Sequence, residues 1–289
     1  MLVNVTLIPF LLAVTGNVSL KDGEEFAPEY VYNMQKIATV HGDSLQNVHY
    51  NSTVRCHLTD PKSLRCLLHD ISVVSYKNLN ITNHEIANEK LDSVDWFDLK
   101  FNRGMDRDLY QGLYQIEISI DRKTEREDMI EEFADQLSIG SSLKSRRNYS
   151  AYSSEFTLFD EKITRGTCVT MYKISATSEE DTEERNFRIS FIELPEFINK
   201  KTVLIKKSRH KCTFIPTFNV FLNELELNSY THIMEVTGDK FKISTTMDVR
   251  IPPDEWNIQG REVFTSKIMV NLMSIESTRT EISKGPGFA

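Results

Sequence analysis

Apolar and polar residues alternate along much of this chain, which is the pattern of half-buried β-strands. In the segment 241–251 the apolar side chains share one parity: Phe241, Ile243, Met247, Val249 and Ile251. Similar runs recur at 30–40, 53–58, 67–76, 114–120, 170–176, 187–192 and 267–275. Gly238 and Asp239 separate two such runs and predict a tight hairpin. Strands at this density predict a mainly β fold, specifically a large antiparallel β-barrel.

One segment, residues 124–138, has the periodicity of a helix instead. Thr124 and Glu127 have the spacing of a capping box at its start. Its apolar residues then fall on one face: Met129, Ile130, Phe133 and Leu137. We therefore predict one amphipathic helix over about 124–138, packed with this face against the barrel. The following stretch, 141–154, has no periodicity and predicts an exposed loop.

The amino-terminal sixteen residues are uncharged and contain the apolar run Leu7–Val14, which is typical of a secretory signal. No later stretch approaches the twenty apolar residues that a membrane-spanning helix needs. We therefore predict a signal peptide over residues 1–16, a single domain over 17–289, and secretion of the protein without a membrane span.

Export exposes two kinds of residue to modification. Sequons for N-glycosylation occur outside the predicted signal at Asn17, Asn51, Asn80 and Asn148. The four cysteines are Cys56, Cys66, Cys168 and Cys212, which allow three pairings, and an oxidising compartment favours disulfides over free thiols. We favour the local pairing, Cys56 with Cys66 and Cys168 with Cys212, because each pair lies in neighbouring strand-like segments.

Signals for catalysis are nearly absent. The sequence has no glycine-rich phosphate loop, no nucleophile elbow and no paired-carboxylate motif, so we expect neither an enzyme nor a cofactor. The residues that most resemble a zinc site are Cys56, His57, Cys66 and His69. Adjacent residues on a strand point to opposite sides of the sheet, which makes joint coordination by Cys56 and His57 awkward. We therefore expect a disulfide there and no metal.

Charge singles out one segment. The net charge of -8 argues against general binding of nucleic acid. Against this acidic background stands a basic segment that contains Lys200, Lys201, Lys206, Lys207, Arg209, His210 and Lys211. One interpretation is a contact site for an acidic receptor module, a heparin-like glycan or a lipid headgroup. The other is a solvated strand edge on which lysines oppose aggregation.

Four short motifs are similar to a known family. They are the strand Phe26–Tyr32, the strand and helix over Tyr114–Leu137, the Gly-X-Cys-X-Thr-X-Tyr pattern of Gly166–Tyr172, and the Lys-Ser-rich run Lys206–Cys212. Together they resemble the amino-terminal β-barrel of the large lipid transfer proteins, vitellogenin most of all. The resemblance implies a barrel like the amino-terminal sheet of lipovitellin and supports the bond Cys168–Cys212.

The resemblance also implies a function. A module of this family would serve lipid transport or recognition by a lipoprotein-type receptor or a larger lipoprotein, with the basic segment as its contact site and without the family's large lipid cavity. A different class remains open: a stand-alone extracellular binding protein, in defence or matrix, that recognises glycans or microbial surfaces.

Overall fold

The computed structural model describes residues 28–42, 45–60, 63–79, 82–91, 95–102, 112–118, 125–138, 147–149, 153–163, 166–178, 201–214, 226–236, 241–251 and 261–277. The predicted signal peptide, Asn17, Asn80, Lys200, Thr124 and the hairpin at Gly238 lie outside the described residues.

The described residues form thirteen strands and one helix. The first six strands are β1 (Pro28–Val40), β2 (Leu45–Asp60), β3 (Ser63–Leu79), β4 (Thr82–Leu91), β5 (Asp95–Asn102) and β6 (Gly112–Ile118). The helix α1 (Glu125–Leu137) follows. The remaining strands are β7 (Arg147–Tyr149), β8 (Ser153–Ile163), β9 (Gly166–Ser178), β10 (Lys201–Phe214), β11 (Glu226–Val236), β12 (Phe241–Ile251) and β13 (Arg261–Ser277). The prediction of a mainly β fold with one amphipathic helix is confirmed.

All thirteen strands belong to one antiparallel sheet. Its order is β6-β5-β3-β2-β1-β13-β12-β11-β10-β9-β8-β7, and β4 pairs with β3 beside this path. Within the described residues the end strands β6 and β7 do not pair with each other, so the expected closed barrel is corrected to an open sheet. Strand β3 makes the branch because it is 17 residues long and pairs first with β5 and then with β4 along one edge.

The sheet is strongly curved around the helix. Strands β5 and β10 are seven positions apart in the sheet order, which in a flat sheet is a separation of about 34 Å. Yet Phe97 on β5 contacts Phe133 on α1, and Lys207 on β10 hydrogen-bonds the carbonyl of Ser138. Phe133 and Ser138 lie only about 7.5 Å apart along the helix axis. Both halves of the sheet therefore bend toward one short helix.

The helix meets the sheet through its predicted apolar face. Met129, Ile130, Phe133, Ala134 and Leu137 are all buried in a single core cluster. The sheet contributes to that cluster from strands at both of its ends, including Tyr32, Phe97, Tyr172, Phe241 and Val270. We call this concave side of the sheet the helix-facing side and the opposite one the outer side. No helix within the described residues is long and apolar enough to span a bilayer.

Candidate functional site

Strand β10 divides the basic segment between the two sides of the sheet. Successive side chains of a strand point in opposite directions. Lys206 and His210 are accordingly exposed on the outer side, whereas Lys207 is fully buried and Arg209 retains only 8% exposure on the helix-facing side. The prediction that Lys207 and Arg209 belong to a surface patch is therefore wrong. Lys201 lies at the start of β10, but its side chain is not among those described.

A bulge near the end of β10 restores a basic residue to the surface. The pairing with β9 shifts between His210 and Thr213, and Lys211 has the left-handed φ of 50°. The extra residue reverses the alternation of the strand. Lys211 therefore stays exposed, while Cys212 turns to the same side as the buried Cys168 on β9.

Both predicted disulfides are present. Cys56 bonds Cys66 across β2 and β3, and Cys168 bonds Cys212 across β9 and β10. The first bond removes two of the four ligands of the zinc site that the sequence had suggested. Among the described residues no group of three or more potential ligands is placed to hold a metal ion.

The outer side of β9, β10 and β11 combines cations with exposed apolar side chains. Lys206 lies opposite Lys173 of β9 and Ile233 of β11. Ile233, Leu204 and Met171 are all exposed large apolar residues on these three strands. Lys173 pairs with Glu155 at 2.8 Å, whereas within the described part of the chain Lys206 and Lys211 make no ion pair. We call Met171, Leu204, Lys206, Lys211 and Ile233 the outer patch.

The helix-facing side of the same strands carries a buried polar seam, which we define as Glu161, Thr170, Tyr172, Lys207, Arg209, Tyr230, His232 and Thr245. These residues come from β8, β9, β10, β11 and β12 and face the second half of α1. Buried polar groups are stable only when they are hydrogen-bonded or paired.

Glu161 is the counter-charge of the seam. The hydroxyls of Thr170 and Tyr172 donate to its carboxylate, and Arg209 Nε lies 3.4 Å from Oε2. Burial alone would raise the pKa of Glu161, but Arg209, Lys207 and the two hydroxyl donors outweigh it and lower the pKa. Glu161 is therefore an ionised carboxylate held in the interior by its partners.

Arg209 is held by Tyr230 on β11. Its Nη1 donates to the Tyr230 hydroxyl at 3.1 Å, and the guanidinium carbon lies 4.6 Å from the centre of the tyrosine ring. Burial would lower the pKa of Arg209, yet Tyr230 and Glu161 raise it, so the guanidinium stays charged. Burial in turn raises the pKa of Tyr230 to about 12, which keeps the phenol neutral.

Lys207 caps the helix from the sheet. Its Nζ donates to the main-chain carbonyl of Ser138, directly after the last residue of α1. The last carbonyls of a helix lack internal partners and carry partial negative charge. The last turn of α1 contains no basic residue, so Lys207 on β10 supplies that cation. Burial and the charge of Arg209 lower the pKa of Lys207 to about 8.

His232 and Thr245 join the seam to the side chain of Gln136 on α1. His232 Nδ1 lies 2.9 Å from Thr245 Oγ1, and the Thr245 hydroxyl donates to Gln136 Oε1. Burial, followed by the charges of Lys207 and Arg209, places the pKa of His232 well below its usual value. The seam thus connects the sheet to two groups at the helix end, the Gln136 side chain and the Ser138 carbonyl.

Neither Glu161 nor His232 was predicted from the sequence, and Lys207 and Arg209 were predicted to lie on the surface. A signal for the last two was present, because they share the parity of Ile205, which is buried. Glu161 and His232 had no such signal, because a polar residue at an inward position is recognised only when its partners on other strands are known.

Two predicted glycosylation sites lie on strands. Asn51 is exposed on the outer side of β2, where its Oδ1 accepts a hydrogen bond from Asn33 Nδ2 at 2.9 Å. Asn148 lies in the short strand β7, so part of the stretch 141–154 that was predicted to be a loop is a strand. Asn51 is on the strand next to β1, far along the sheet from the outer patch.

The curved sheet, its helix and the two disulfides can be compared with known proteins. The structure is similar to a solved lipovitellin structure, described in terms of lipid–protein interactions, with a TM-score of 0.53 and 10% sequence identity. The fold is lipovitellin-like. The match covers 88% of this chain but only 26% of the lipovitellin chain, so the chain spans about a quarter of that protein.

Other comparisons add little. The translocator domain of the autotransporter NalP from Neisseria meningitidis aligns over 92% of this chain and 94% of its own, at 10% identity and a TM-score of 0.24, too low to carry an argument. No protein-family model and no curated protein matches the sequence. The lipovitellin-like fold therefore rests on structure and not on sequence.

Proposed function

We propose that the protein is a secreted, lipovitellin-like module of lipid transport that recognises an acidic partner through the outer patch. The partner class is an acidic lipoprotein-receptor-type module or an acidic surface of a larger lipoprotein. The fold supports the assignment to lipid transport, because lipovitellin is a protein studied for its interactions with lipid. Two disulfides fit an extracellular protein.

The observation that carries the proposal is the composition of the outer patch. Lys206 and Lys211 have no ion-pair partner within the described part of the chain, so their charge is available to an acidic ligand. Leu204, Ile233 and Met171 lie on the same three strands and are exposed. Exposed apolar residues beside cations are the composition of a recognition surface, since burial supplies affinity and charge supplies orientation and association rate.

The patch is also presented on a rigid support. Directly behind Lys206, the neighbouring residues Lys207 and Arg209 are fixed to the helix and to Tyr230. A contact site on a strand that is anchored from behind loses little conformational entropy on binding. This favours recognition through β10 over an adaptable loop contact.

The test measures binding of the oxidised, secreted protein to an immobilised, acidic low-density-lipoprotein-receptor-type module. We expect Lys206→Glu combined with Lys211→Glu to weaken binding at least about tenfold, because two favourable charge contacts become repulsive. Lys267→Glu, on the exposed outer side of β13, makes the same kind of charge change away from the patch and serves as the control. Raising the salt concentration should weaken wild-type binding.

Heparin and microbial glycans form the second arm of this test. Binding to them, abolished by the same double variant and absent with the receptor module, would replace the proposal with an extracellular glycan-binding function. Unchanged receptor binding by the double variant would refute the role of the outer patch. Native mass spectrometry of the purified protein tests the lipid part: co-purifying lipid supports a carrier, and an apo protein limits the function to recognition.

A further inference from the structure

The hydrogen bonds around His232 run in one direction and determine where its proton lies. Gln136 Nε2 donates to the Glu132 carbonyl at 3.2 Å, so Gln136 Oε1 is an acceptor. The single hydroxyl hydrogen of Thr245 is donated to that oxygen. Thr245 Oγ1 must therefore accept from His232, which makes His232 Nδ1 the protonated nitrogen.

The other ring nitrogen, His232 Nε2, is the one that would receive a proton in acid. It is buried and has no hydrogen-bond partner within the described residues. Protonation would create a buried N–H group without an acceptor, which is costly in itself. The ring tolerates its position only while it is neutral.

The charge balance around His232 also opposes its protonation. The charged groups around His232 are Lys207 and Arg209 of the seam on β10, Glu161 of the seam on β8, and Asp135 on α1, which interacts with both cations from outside the seam. Tyr172 and Tyr230, on β9 and β11, face the same cluster as neutral phenols, and Thr245 faces it from β12. Two cations and two carboxylates balance. A third cation at His232 would leave the interior with an excess positive charge.

The helix end is what closes this site. Gln136, the carbonyl of Ser138 and Asp135 all come from α1 or the residue that follows it, and each interacts with the seam. Moving this part of α1 away from the sheet would admit water to His232 Nε2 and to Lys207. Undocking therefore converts the costly protonated state into a hydrated one.

We infer that His232 makes the docking of α1 acid-sensitive: protonation of its Nε2 under mildly acidic conditions releases the carboxyl-terminal half of the helix from strands β10 to β12. If the proposed function holds, the same event removes the support behind Lys206, so that a partner bound at neutral pH is released in acid.

The direction of the effect follows from linkage. Burial, with Lys207 and Arg209, lowers the pKa of docked His232, whereas a hydrated histidine keeps a pKa near 6.5. The docked state is therefore fully stable above about pH 6.5 and loses stability as the pH falls below it. Each pH unit favours the released state by up to about tenfold until the docked histidine itself titrates.

The experiment is hydrogen exchange of the full-length, oxidised protein, read by mass spectrometry and corrected for the intrinsic pH dependence of exchange. We expect the protection of a peptide spanning 125–137 to fall about thirtyfold between pH 7.5 and pH 5.0. A peptide from β2, residues 46–57, should retain its protection. His232→Gln should reduce the change in the helix to less than about threefold, because glutamine takes up no proton.

The matched control is His210→Gln, an exposed histidine on β10, which should behave as the wild type does. Acid-dependent loss of protection that is equal in wild type and His232→Gln would overturn the inference. If His232→Gln does not fold, nuclear magnetic resonance titration of the wild-type histidine rings decides. Protonation of His232 that coincides with loss of helix protection supports the inference, and protonation with the helix still protected refutes it. None of these measurements involves a partner, so they are independent of the proposed function.

Discussion

The two halves of the helix-facing side hold α1 in different ways. In the half of the sheet that contains β1 and β5, aromatic residues pack against the helix: the ring of Phe133 lies 5.7 Å from that of Tyr32 and 6.2 Å from that of Phe97. In the half that contains β8 and β10, the helix end meets the polar seam around Glu161 and Lys207. Apolar packing is insensitive to pH and tolerant of direction, whereas a charged seam works only in one alignment. The aromatic half therefore supplies most of the apolar packing energy that holds α1, and the seam determines the orientation of α1 and makes its docking depend on pH.

Loss of the carboxylate of Glu161 should be the most damaging change to the seam. Glu161→Gln leaves Lys207 and Arg209 in the interior without their closest counter-charge, which should lower the free energy of unfolding by about 3–5 kcal/mol. Urea unfolding measures the loss. Glu155→Gln on the same strand, which breaks the exposed pair with Lys173, should cost less than about 1 kcal/mol. Equal costs would show that the seam is not a coupled unit.

The disulfides provide the next comparison, because each half contains one. Cys168 and Cys212 are separated by 44 residues, and Cys56 and Cys66 by 10. On a chain-entropy basis, removing the first should cost about 4 kcal/mol and removing the second about 3 kcal/mol. Double alanine variants of each pair, unfolded in urea, test this order. The opposite order would mean that the seam half is already constrained without its crosslink.

Raising the pH above 8 should have the smallest effect on the free energy of unfolding, and that effect should come from the seam. The pKa of Lys207 falls from 10.5 to about 8, so between these values the unfolded chain binds more protons than the folded one. The free energy of unfolding should therefore rise with pH, by on the order of 1 kcal/mol between pH 8 and pH 9.5. Lys207→Met should abolish the rise, and the exposed Lys206→Met should retain it. A rise that persists without Lys207 would assign it to other groups.

Much of this architecture was predictable from local pattern. Strand β12 coincides with the predicted run 241–251, and α1 lies within one residue of the predicted 124–138 at each end. The disulfides followed from the proximity of their strands. Period-two and period-3.6 patterns are local properties of the chain, so a single sequence is sufficient to read them.

Closure of the sheet and the seam were not predictable in the same way. The expected barrel depends on pairing between strands that are distant in sequence, and the alternation of β6 or β7 does not say which neighbour it has. The seam unites β8 with β12 and the helix, so Glu161 and Lys207 had no visible relationship in the sequence. The prediction for the basic segment was partly wrong because cations adjacent in sequence suggest a single surface, whereas alternation along β10 places them on opposite sides of the sheet.

The bulge at Lys211 limits how the length of β10 can change during evolution. This single extra residue determines which side of the sheet each later side chain of β10 faces. A one-residue deletion there would turn Cys212 outward and leave Cys168 without its partner in the interior. Asp70 in β3, with a φ of 53°, occupies a similar position four residues after Cys66. Both strands should therefore resist insertions and deletions more than they resist substitution at exposed positions, and sequences related to this one should keep the length of these two strands.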